Sequence, residues 1–559
     1  MKIHRLAFCA LILSAATAWL RAEPAPVAFD WFEYSGTNAM EIDAGMGEYV
    51  NPIRAGFYPD PSICRVGDDY YSVNSTFAYF PGIPIFHSRE LVNWDQVGHA
   101  IDRPEQLRYD RLGVSSAIYA PTIRYHDGIF YIICTMVGGE GNFIVTATNV
   151  AGPWANPIKL GFDGIDPSIY FDDDGKAWVV NNGGPAGAPL YDGHRAIWIQ
   201  AYDPATRQMT GPRKVLVNGG VDISKKPVWI EGPHIYKKDG WYYLCCAEGG
   251  TGPQHSQVVF RGQKVEGPYK PWDRNPILSQ RGLSANAHGA VTCTGHADFV
   301  IGPDNNWWAV FLGVRPYRGR YSPMGRETFM LPVKWTDDGW PVILPKGERV
   351  PLMVKSPKSD VRQEIPGEPL NGNFTWRDEF KETALSPLWI MLRAPKQTWW
   401  KLEAGKLKIT PLNEQLSGRG NPSFLARRVQ HANFTTATAL AIPGGPDVSA
   451  GLAVFQGEQY NYFAGVRRAT NGVDIFIERN KGNSGQEVVK CVHLPDAKNI
   501  KFCVTANGAM CAFEYAADNC AWKILAANLD ATMLTTDIAG GFVGATVGPF
   551  ARADGSGNQ

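Results

Sequence analysis

The sequence predicts an all-β protein in which a five-bladed β-propeller is followed by a β-sandwich. Two observations carry this prediction: one motif recurs five times in the first part of the chain, and short alternating apolar runs fill the last third. The chain also holds 59 glycines and 40 prolines in 559 residues, which suits many short strands joined by tight turns. Hydrophobic residues make up 44% and charged residues 19%, a balance typical of a packed core rather than of disorder.

The repeated motif is a small or polar residue, usually beside a proline, followed by a β-branched or aromatic residue, an acidic turn and paired aromatics. Its copies begin at Asp60, Ala120, Asp166, Glu231 and His296, at intervals of 46 to 65 residues. Each copy resembles a β-hairpin, because an Asp-Gly or similar pair supplies the turn and alternating apolar residues supply the strands. Repeats of about 40–50 residues are typical of propeller blades, and loop insertions account for the longer intervals.

In a propeller, the residues that begin the innermost strand of each blade converge at one end of the central channel. A proline is tolerated there because the innermost strand is a sheet edge, where a missing N–H costs little. Asp60, Asp166 and Glu231 should therefore meet His296 around one funnel, which makes them a candidate active site. A single Asp-Pro-Ser is usually only a turn device, so the repetition is what favours function.

The propeller pattern ends near Trp340-Pro341, and we assign residues 23–350 to the propeller. The stretch that follows is rich in Lys, Pro and Glu, and we assign residues 351–372 to a linker. Residues 373–559 then form a second domain. We predict a β-sandwich there from short alternating runs such as Leu407–Ile409, Val473–Ile477 and Gly541–Gly544.

The charge balance and the amino end of the chain bear on partners and location. Lys plus Arg and Asp plus Glu each total 54, which argues against nucleic acid or an anionic membrane as a partner. Lys2, His4 and Arg5 precede an uncharged run, Leu6–Leu20, that is too short to span a membrane. We interpret residues 1–22 as a secretory signal peptide and expect an exported protein, periplasmic or extracellular.

Signals for disulfides and metals are weak. Without the leader the chain has nine cysteines, an odd number that leaves the pairing open, and no Cys/His spacing resembles a structural zinc site. Asp172–Gly175 looks like a calcium loop only superficially, because it lacks the alternating ligands and the terminal glutamate. We interpret it as a hairpin turn.

Five segments in a fixed order carry a family resemblance: Gly56–Ser62, Asp166–Ser168, Trp229–Pro233, Gly295–Ala297 and Gly325–Phe329. They resemble the conserved pieces of glycoside hydrolase family 43, five-bladed propeller enzymes that attack xylan and arabinan side chains. Within that family, Phe80–Ile85 and His87–Trp94 are similar to the β-xylosidase and arabinofuranosidase members. The second domain is similar to the concanavalin-like β-sandwich that follows the propeller in xylosidase-type members.

The resemblance implies that Asp60 is the general base, Glu231 the general acid and Asp166 a modulator of the acid's pKa or an orienting group. Inverting hydrolysis needs one carboxylate to deprotonate water and one carboxylic acid to protonate the leaving oxygen, about 6.5–9.5 Å apart. A retaining route, in which Asp60 attacks the sugar, would need ~5 Å. We expect a raised pKa for Glu231 with Asp166 among the causes, because a nearby negative charge disfavours a second one.

The resemblance also suggests substrate-binding residues. Arg326 is expected to hydrogen-bond a sugar hydroxyl at the reacting subsite. His296 should lie at the channel floor, either holding a hydrated metal ion as in some relatives or serving as a structural histidine. Phe80 and Trp94 are candidates for stacking on a sugar, with core packing as the alternative. No cofactor is required, and a structural or active-site calcium ion is the inorganic group that the resemblance suggests.

The sequence thus predicts an inverting exo-glycosidase that releases terminal pentoses, a β-1,4-xylosidase acting on xylan-type oligosaccharides or polysaccharides. The alternative within the class is an α-L-arabinofuranosidase on arabinoxylan or arabinan side chains, because the two pentoses present similar hydroxyls. From another class, the rival is a non-catalytic carbohydrate-binding propeller, against which the presence of Asp60 and Glu231 argues. The oligomeric state stays open.

Overall fold

The computed structural model describes residues 24–38, 42–445, 447–495 and 497–555, so the predicted signal peptide, residues 1–22, lies outside it. The described residues form the predicted all-β fold, a five-bladed propeller with a two-sheet β-sandwich. They contain no helix that is long and apolar enough to cross a membrane. The helical elements are the α-helix Thr536–Ala539 and the 3-10 turns Ile223–Lys225, Gly482–Ser484 and Thr532–Leu534.

Each blade is an antiparallel sheet of four main strands that follow one another in sequence, and the first strands of the blades contact one another around the axis. The first blade contains Ser62–Val66, Asp69–Val73, Gly82–Ser88 and Asp95–Ile101. The second contains Thr122–His126, Ile129–Val137, Gly141–Ala147 and Ile158–Lys159, with Ala117–Ile118 added. The third contains Ile165–Phe171, Ala177–Gly183, Ala196–Asp203 and Gln208–Asn218. The fourth contains Glu231–Lys238, Trp241–Glu248, Ser256–Gly262 and Lys270–Pro271, with Leu278–Ser279 added. The fifth contains Thr292–Ile301, Trp307–Val314, Glu327–Trp335 and Pro341–Val342.

The sandwich has two eight-stranded sheets, and the strand pair Glu48–Val50 and Met353–Lys355 lies apart from both. One sheet contains Val27–Thr37, Phe374–Asp378, Trp400–Leu402, Leu407–Ile409, Asn433–Ala441, Asn499–Asn507, Met510–Ala517 and Lys523–Asp530. The other contains Tyr79–Phe80, Ile390–Leu392, Ser423–Arg428, Val448–Gly457, Tyr460–Ala469, Gly472–Lys481, Gln486–Leu494 and Thr546–Ala553.

Two strands cross the predicted domain boundary. Val27–Thr37 pairs with Asn433–Ala441 and with Phe374–Asp378, so it belongs to the sandwich. The predicted propeller range of 23–350 is therefore wrong at its amino end, because strand pairing so distant in sequence leaves no local signal. Tyr79–Phe80, from a loop of the first blade, pairs with Ile390–Leu392 and adds a strand to the other sheet. The two domains thus share strands.

A buried ionic cluster joins four of the five blades. Asp298, on the first strand of the fifth blade, is fully buried and accepts hydrogen bonds from Ser62 and Tyr236, each at 2.6 Å. Arg124 of the second blade donates to both of its oxygens, at 2.8 and 2.9 Å. Burial alone would raise the pKa of Asp298, but Arg124 and His234 outweigh it, and the pKa lies well below its usual range. The cluster ties the blade starts together beside the candidate site.

The nine cysteines of the described residues are all free thiols. The turn at Asp172–Gly175 is a hairpin turn as predicted, with the Gly175 N–H donating to the Asp172 carbonyl at 3.0 Å. The Asp172 carboxylate is occupied by Tyr242 at 2.8 Å and Lys237 at 3.3 Å. These side chains explain the acidic turn without a metal ion.

Candidate active site

A cavity of about 720 Å³ lies where the innermost strands of the blades begin. It brings together Asp60, Asp166, Glu231 and His296, as the repeat predicts, and Arg326 joins them. Its other lining residues come from strands and loops of the propeller and, in one case, from the sandwich: Phe77, Tyr119, Val137, Asp163, Gly164, Ile165, Asn182, Gly183, Gly184, Arg195, Trp229, Gly250, Thr251 and Phe542.

Irregular backbone aims these side chains into the cavity. Asp60, Asp166, Gly232 and His296 all have φ between +51° and +55°, a left-handed conformation that L-residues rarely adopt. The strand register is also interrupted where the inner strands of the third, fourth and fifth blades begin. Such bulges re-aim side chains beside functional sites. At position 232 only glycine fits, because a Cβ atom would lie 2.8 Å from the His296 Nε2.

Asp60 is held as a carboxylate. The Ser75 hydroxyl donates to one oxygen at 2.6 Å and Arg326 donates to the other at 3.3 Å, while the His296 Nδ1 lies 3.7 Å from that second oxygen. Burial alone would raise the pKa of Asp60, but Arg326, His296 and Ser75 together lower it below its ordinary value of 3.8. The side chain is therefore charged at neutral pH and can accept a proton.

Glu231 has the opposite environment. Burial, followed by the negative charge of Asp60, raises its pKa from 4.5 to about 7, and Arg326 and Arg195 oppose that rise. The side chain is 7% exposed and has no cation paired with it among the described residues. Near neutral pH a large fraction of Glu231 is protonated, so it can donate a proton to a ligand.

The pKa of Asp166 is displaced in the same direction as that of Glu231. Burial raises its pKa well above the ordinary value of 3.8, and Glu231 and Asp60 add to this, while the Gly232 N–H opposes it. The raised pKa of Glu231 agrees with our expectation, but Asp60 and not Asp166 is the charge behind it. An orienting role for Asp166 stays a prediction.

His296 lies against Asp60 at the channel floor, where burial lowers its pKa below 6.5 despite the nearby carboxylate. The described residues contain no cluster of three or more His, Cys, Asp or Glu side chains that could hold a metal ion. His296 and Asp60, the two groups of the channel floor that could act as ligands, lie 3.7 Å from each other. A calcium ion therefore stays a prediction.

Three aromatic rings form one wall of the cavity, and one of them belongs to the sandwich. Phe542 stacks on Phe77, with ring centroids 5.9 Å apart, and packs edge-on against Tyr119 at 5.8 Å. The guanidinium of Arg326 lies 5.3 Å from the Phe542 ring, and its Nη2 donates to the Phe542 carbonyl at 3.5 Å. Residues 541–544, which we predicted to be a strand, are instead the loop that inserts this ring.

Phe80 and Trp94 do not line the cavity described by the structure. Both are buried in the main hydrophobic core, where the Phe80 backbone pairs with Met391 and the Trp94 indole donates to the Leu91 carbonyl at 3.0 Å. Their placement does not support the predicted role in substrate binding. The alternative of core packing describes them instead, because sheet pairing and burial account for both rings.

Several lining residues escaped the sequence reasoning as site residues. Trp229 had a detectable signal, since it stands two residues before Glu231 in a motif that we quoted. Tyr119 directly precedes the second repeat at Ala120, so the blade pattern could have suggested it. Arg195 and Phe542 had none, because each lies in an irregular segment whose neighbours in the fold are distant in sequence.

Two family models match the chain: "Glycosyl hydrolases family 43" over residues 49–341, and "Beta xylosidase C-terminal Concanavalin A-like domain" over residues 377–559. A xylosidase/arabinosidase from Butyrivibrio fibrisolvens is 36% identical over 521 residues, 90% of this chain and 96% of the relative. A non-reducing end alpha-L-arabinofuranosidase from Bacteroides ovatus is 35% identical over 522 residues, 91% of this chain and 92% of the relative.

A solved structure is similar over the whole fold. A crystal structure described as a GH43_12 protein from a capybara gut metagenome superposes with a TM-score of 0.88 at 41% identity, covering 94% of this chain and 99% of that one. Both domains, in the same order, are thus found in relatives of nearly the same length. The chain belongs to glycoside hydrolase family 43 and carries the concanavalin A-like domain of its beta xylosidases.

Proposed function

We propose that this glycoside hydrolase is an inverting exo-glycosidase that releases terminal pentose residues, foremost as a β-1,4-xylosidase on xylan-type oligosaccharides. The observation that carries the proposal is a pair of carboxyl groups in one cavity whose pKa values are displaced in opposite directions. The lowered pKa suits Asp60 to act as the base and the raised pKa suits Glu231 to act as the acid.

In the proposed reaction, Asp60 accepts a proton from a water molecule as that water attacks the anomeric carbon. Glu231 gives its proton to the glycosidic oxygen as the bond from that oxygen to the anomeric carbon breaks. The new hydroxyl forms on the face opposite the leaving group, so the configuration inverts. Arg326, already bonded to Asp60, keeps the base charged and has further N–H groups for a sugar hydroxyl.

The exo mode is supported by the shape of the cavity. The ring of Phe542 closes one wall, and a volume of about 720 Å³ has room for a short oligosaccharide. A cavity walled on one side by the sandwich suits a chain end, whereas an enzyme that cleaves within a polymer needs a cleft open at both ends. The family match leaves xylose and arabinose both as candidates. One relative named for both activities is 36% identical, and one named for arabinofuranosidase activity is 35% identical.

The α-L-arabinofuranosidase alternative has a specific observation in its favour. The Bacteroides ovatus relative, named for that activity, is 35% identical and matches 91% of this chain. A non-catalytic sugar-binding propeller is not favoured, because it would have no need for a buried acid whose pKa is about 7 beside a charged base. Export, from the predicted leader of residues 1–22, is part of the proposal and can be tested by the mass of the secreted protein.

The test uses chromogenic β-D-xylopyranoside and α-L-arabinofuranoside with the wild type, Asp60→Ala and Glu231→Ala. The aryl leaving groups need little acid assistance, so Glu231→Ala should retain part of the activity while Asp60→Ala loses nearly all of it. Asp172→Asn is the matched control, since this carboxylate is also buried but lies outside the cavity. Proton NMR of the first product reports its anomeric form. Retention of configuration, or full activity in Asp60→Ala, would refute the proposal.

A further inference from the structure

One side of the cavity carries an arginine that is stacked but otherwise uncommitted. The Arg195 guanidinium carbon lies 4.0 Å from the centroid of the Trp229 ring, and both residues line the cavity. Their backbones are fixed, because the Gly219 N–H donates to the Arg195 carbonyl at 2.9 Å and the Trp229 N–H donates to the Gly193 carbonyl at 3.0 Å. Trp229 itself has φ +52°, a strained conformation of the kind found at ligand sites.

The donors of Arg195 lack protein acceptors. Its Nε atom is buried without a hydrogen-bond partner, and no carboxylate of the described residues forms an ion pair with it. The other arginine of the cavity, Arg326, is instead bonded to Asp60 at 3.3 Å. A guanidinium has five N–H donors and no acceptor. Because no group of the described residues accepts from Arg195, its donors are available to the oxygens of a ligand.

The position of Arg195 identifies the part of the substrate that it would meet. Asp60 and Arg326 lie with the aromatic wall of Phe77 and Phe542, which suits the sugar ring whose anomeric carbon reacts. Trp229 instead lies two residues before Glu231, the proposed acid, on which Arg195 also acts by its charge, and the acid must lie beside the leaving oxygen. Arg195 therefore lies on the leaving-group side of the scissile bond. Gly184 lines the same cavity and leaves open space, since a Cβ atom there would touch nothing within 4 Å.

We propose that Arg195, held over the ring of Trp229, binds the hydroxyl and ring oxygens of the leaving-group sugar and so selects oligosaccharides over simple glycosides. This inference rests on the proposed glycosidase function, because it assigns the acid side of the cavity to the leaving group. Stacking on the tryptophan ring limits the movement of the guanidinium and so orients its N–H donors.

Arg195 also acts on the acid through its charge. It is one of the two cations that lower the pKa of Glu231 against burial and Asp60. In a variant without this charge the pKa of Glu231 should be higher, so Glu231 should lose its proton at a higher pH. The arginine thus has two separable effects: hydrogen bonding to the leaving sugar, and a charge that sets the alkaline limit of activity.

The test compares an aryl β-D-xyloside with xylobiose across pH, using Arg195→Ala and Arg195→Lys. The loss of charge-assisted hydrogen bonds should lower kcat/KM on xylobiose by roughly 10- to 100-fold in both variants, and on the aryl xyloside by less than about threefold below pH 6. The alkaline limb should move to higher pH in Arg195→Ala and stay in place in Arg195→Lys, which keeps the charge but loses the planar fork.

Arg261→Ala is the matched control, because this arginine also stacks on tryptophan, 4.6 Å from Trp241 and 4.2 Å from Trp340, but lies outside the cavity. It should leave both substrates and the pH profile unchanged. Equal losses on the two substrates, or no loss on xylobiose, would overturn the inference for Arg195.

A binding titration tests the Arg195 subsite without requiring catalytic turnover. In the Asp60→Ala background, where turnover is not required, calorimetry with xylobiose should show at least tenfold weaker binding when Arg195→Ala is added. If the wild type hydrolyses neither substrate, the proposed function fails while this titration still decides the subsite. Unchanged affinity would overturn the inference. Melting temperatures within a few degrees of the wild type exclude misfolding as the cause of any loss.

Discussion

Replacing Glu231 by glutamine should stabilise the protein at high pH while it removes the proposed acid. The folded protein holds this carboxyl group at a pKa of about 7, against 4.5 in an ordinary environment. Between these values the folded state binds a proton that the unfolded state has lost, so stability is fully present below about pH 4.5 and falls as the pH rises through 7. At ~1.36 kcal/mol per pKa unit the loss amounts to about 3 kcal/mol. Glutamine has a similar shape and no charge, so it avoids that loss.

The assay is thermal unfolding followed by circular dichroism at pH 5 and pH 8.5. Glu231→Gln should melt at the wild-type temperature at pH 5 and several degrees above it at pH 8.5. Asp60→Asn should be less stable than the wild type at pH 8.5, because it removes a charge that Arg326 stabilises. Glu382→Gln, at an exposed position, should change neither temperature. A gain in Glu231→Gln that is the same at both pH values would show that packing, not ionisation, is responsible.

Three more predictions concern rate and stability. The kcat/KM of the wild type should fall about tenfold per pH unit above pH 7 as Glu231 ionises, and its acid limb should lie below the ordinary pKa of 3.8 for Asp60. An alkaline limb above pH 9 would contradict the pKa of Glu231. Phe542→Ala should lower kcat/KM on aryl pentosides roughly tenfold without moving the alkaline limb, because it removes a ring that packs against Arg326. Activity equal to the wild type would show that the sandwich loop is not part of the site. Asp298→Asn should lower the free energy of unfolding by about 3 kcal/mol or more in urea titrations, since it leaves the buried Arg124 charge without its partner. A smaller change would mean that the cluster is not needed to hold the blades together.

The sequence was informative wherever the structure repeats itself. Asp60 and Asp166 each begin an Asp-Pro-Ser segment, and the repetition of the segment placed both carboxyl groups in one cavity before any contact was known. Blade number and strand order followed from the same repetition, because neighbouring strands in a blade are neighbours in sequence. The aromatic assignments failed for the opposite reason. Nothing local distinguishes Phe80, which is buried in a sheet, from Phe77, whose ring lines the cavity.

Contacts between the domains had no comparable signal. Gly541–Gly544 alternates like a short strand, yet Gly540 and Gly541 both have φ above +70°, which breaks the extended conformation before Phe542. The strand Val27–Thr37 alternates on either side of a bulge between Phe29 and Trp31, but its partner Asn433–Ala441 lies about four hundred residues away. Alternation predicts that a strand exists and says nothing about which sheet receives it.

The opposite ionisation of the two proposed catalytic carboxyl groups depends on the second domain as well as on the propeller. Arg326 is the first cation that holds Asp60 in its charged form, and Asp60 in turn is the charge that raises the pKa of Glu231. The Arg326 guanidinium is itself positioned by the sandwich, through the carbonyl and the ring of Phe542. The loop that carries Phe542 is anchored to the propeller by the Ser115 hydroxyl, which accepts its N–H at 2.9 Å. Direct contacts therefore run from the sandwich through Arg326 to Asp60, whose charge acts on the acid. Because Val27–Thr37 and Tyr79–Phe80 also pair into the sandwich sheets, the site cannot be assigned to the propeller alone, even though both of its proposed acid–base groups are propeller residues.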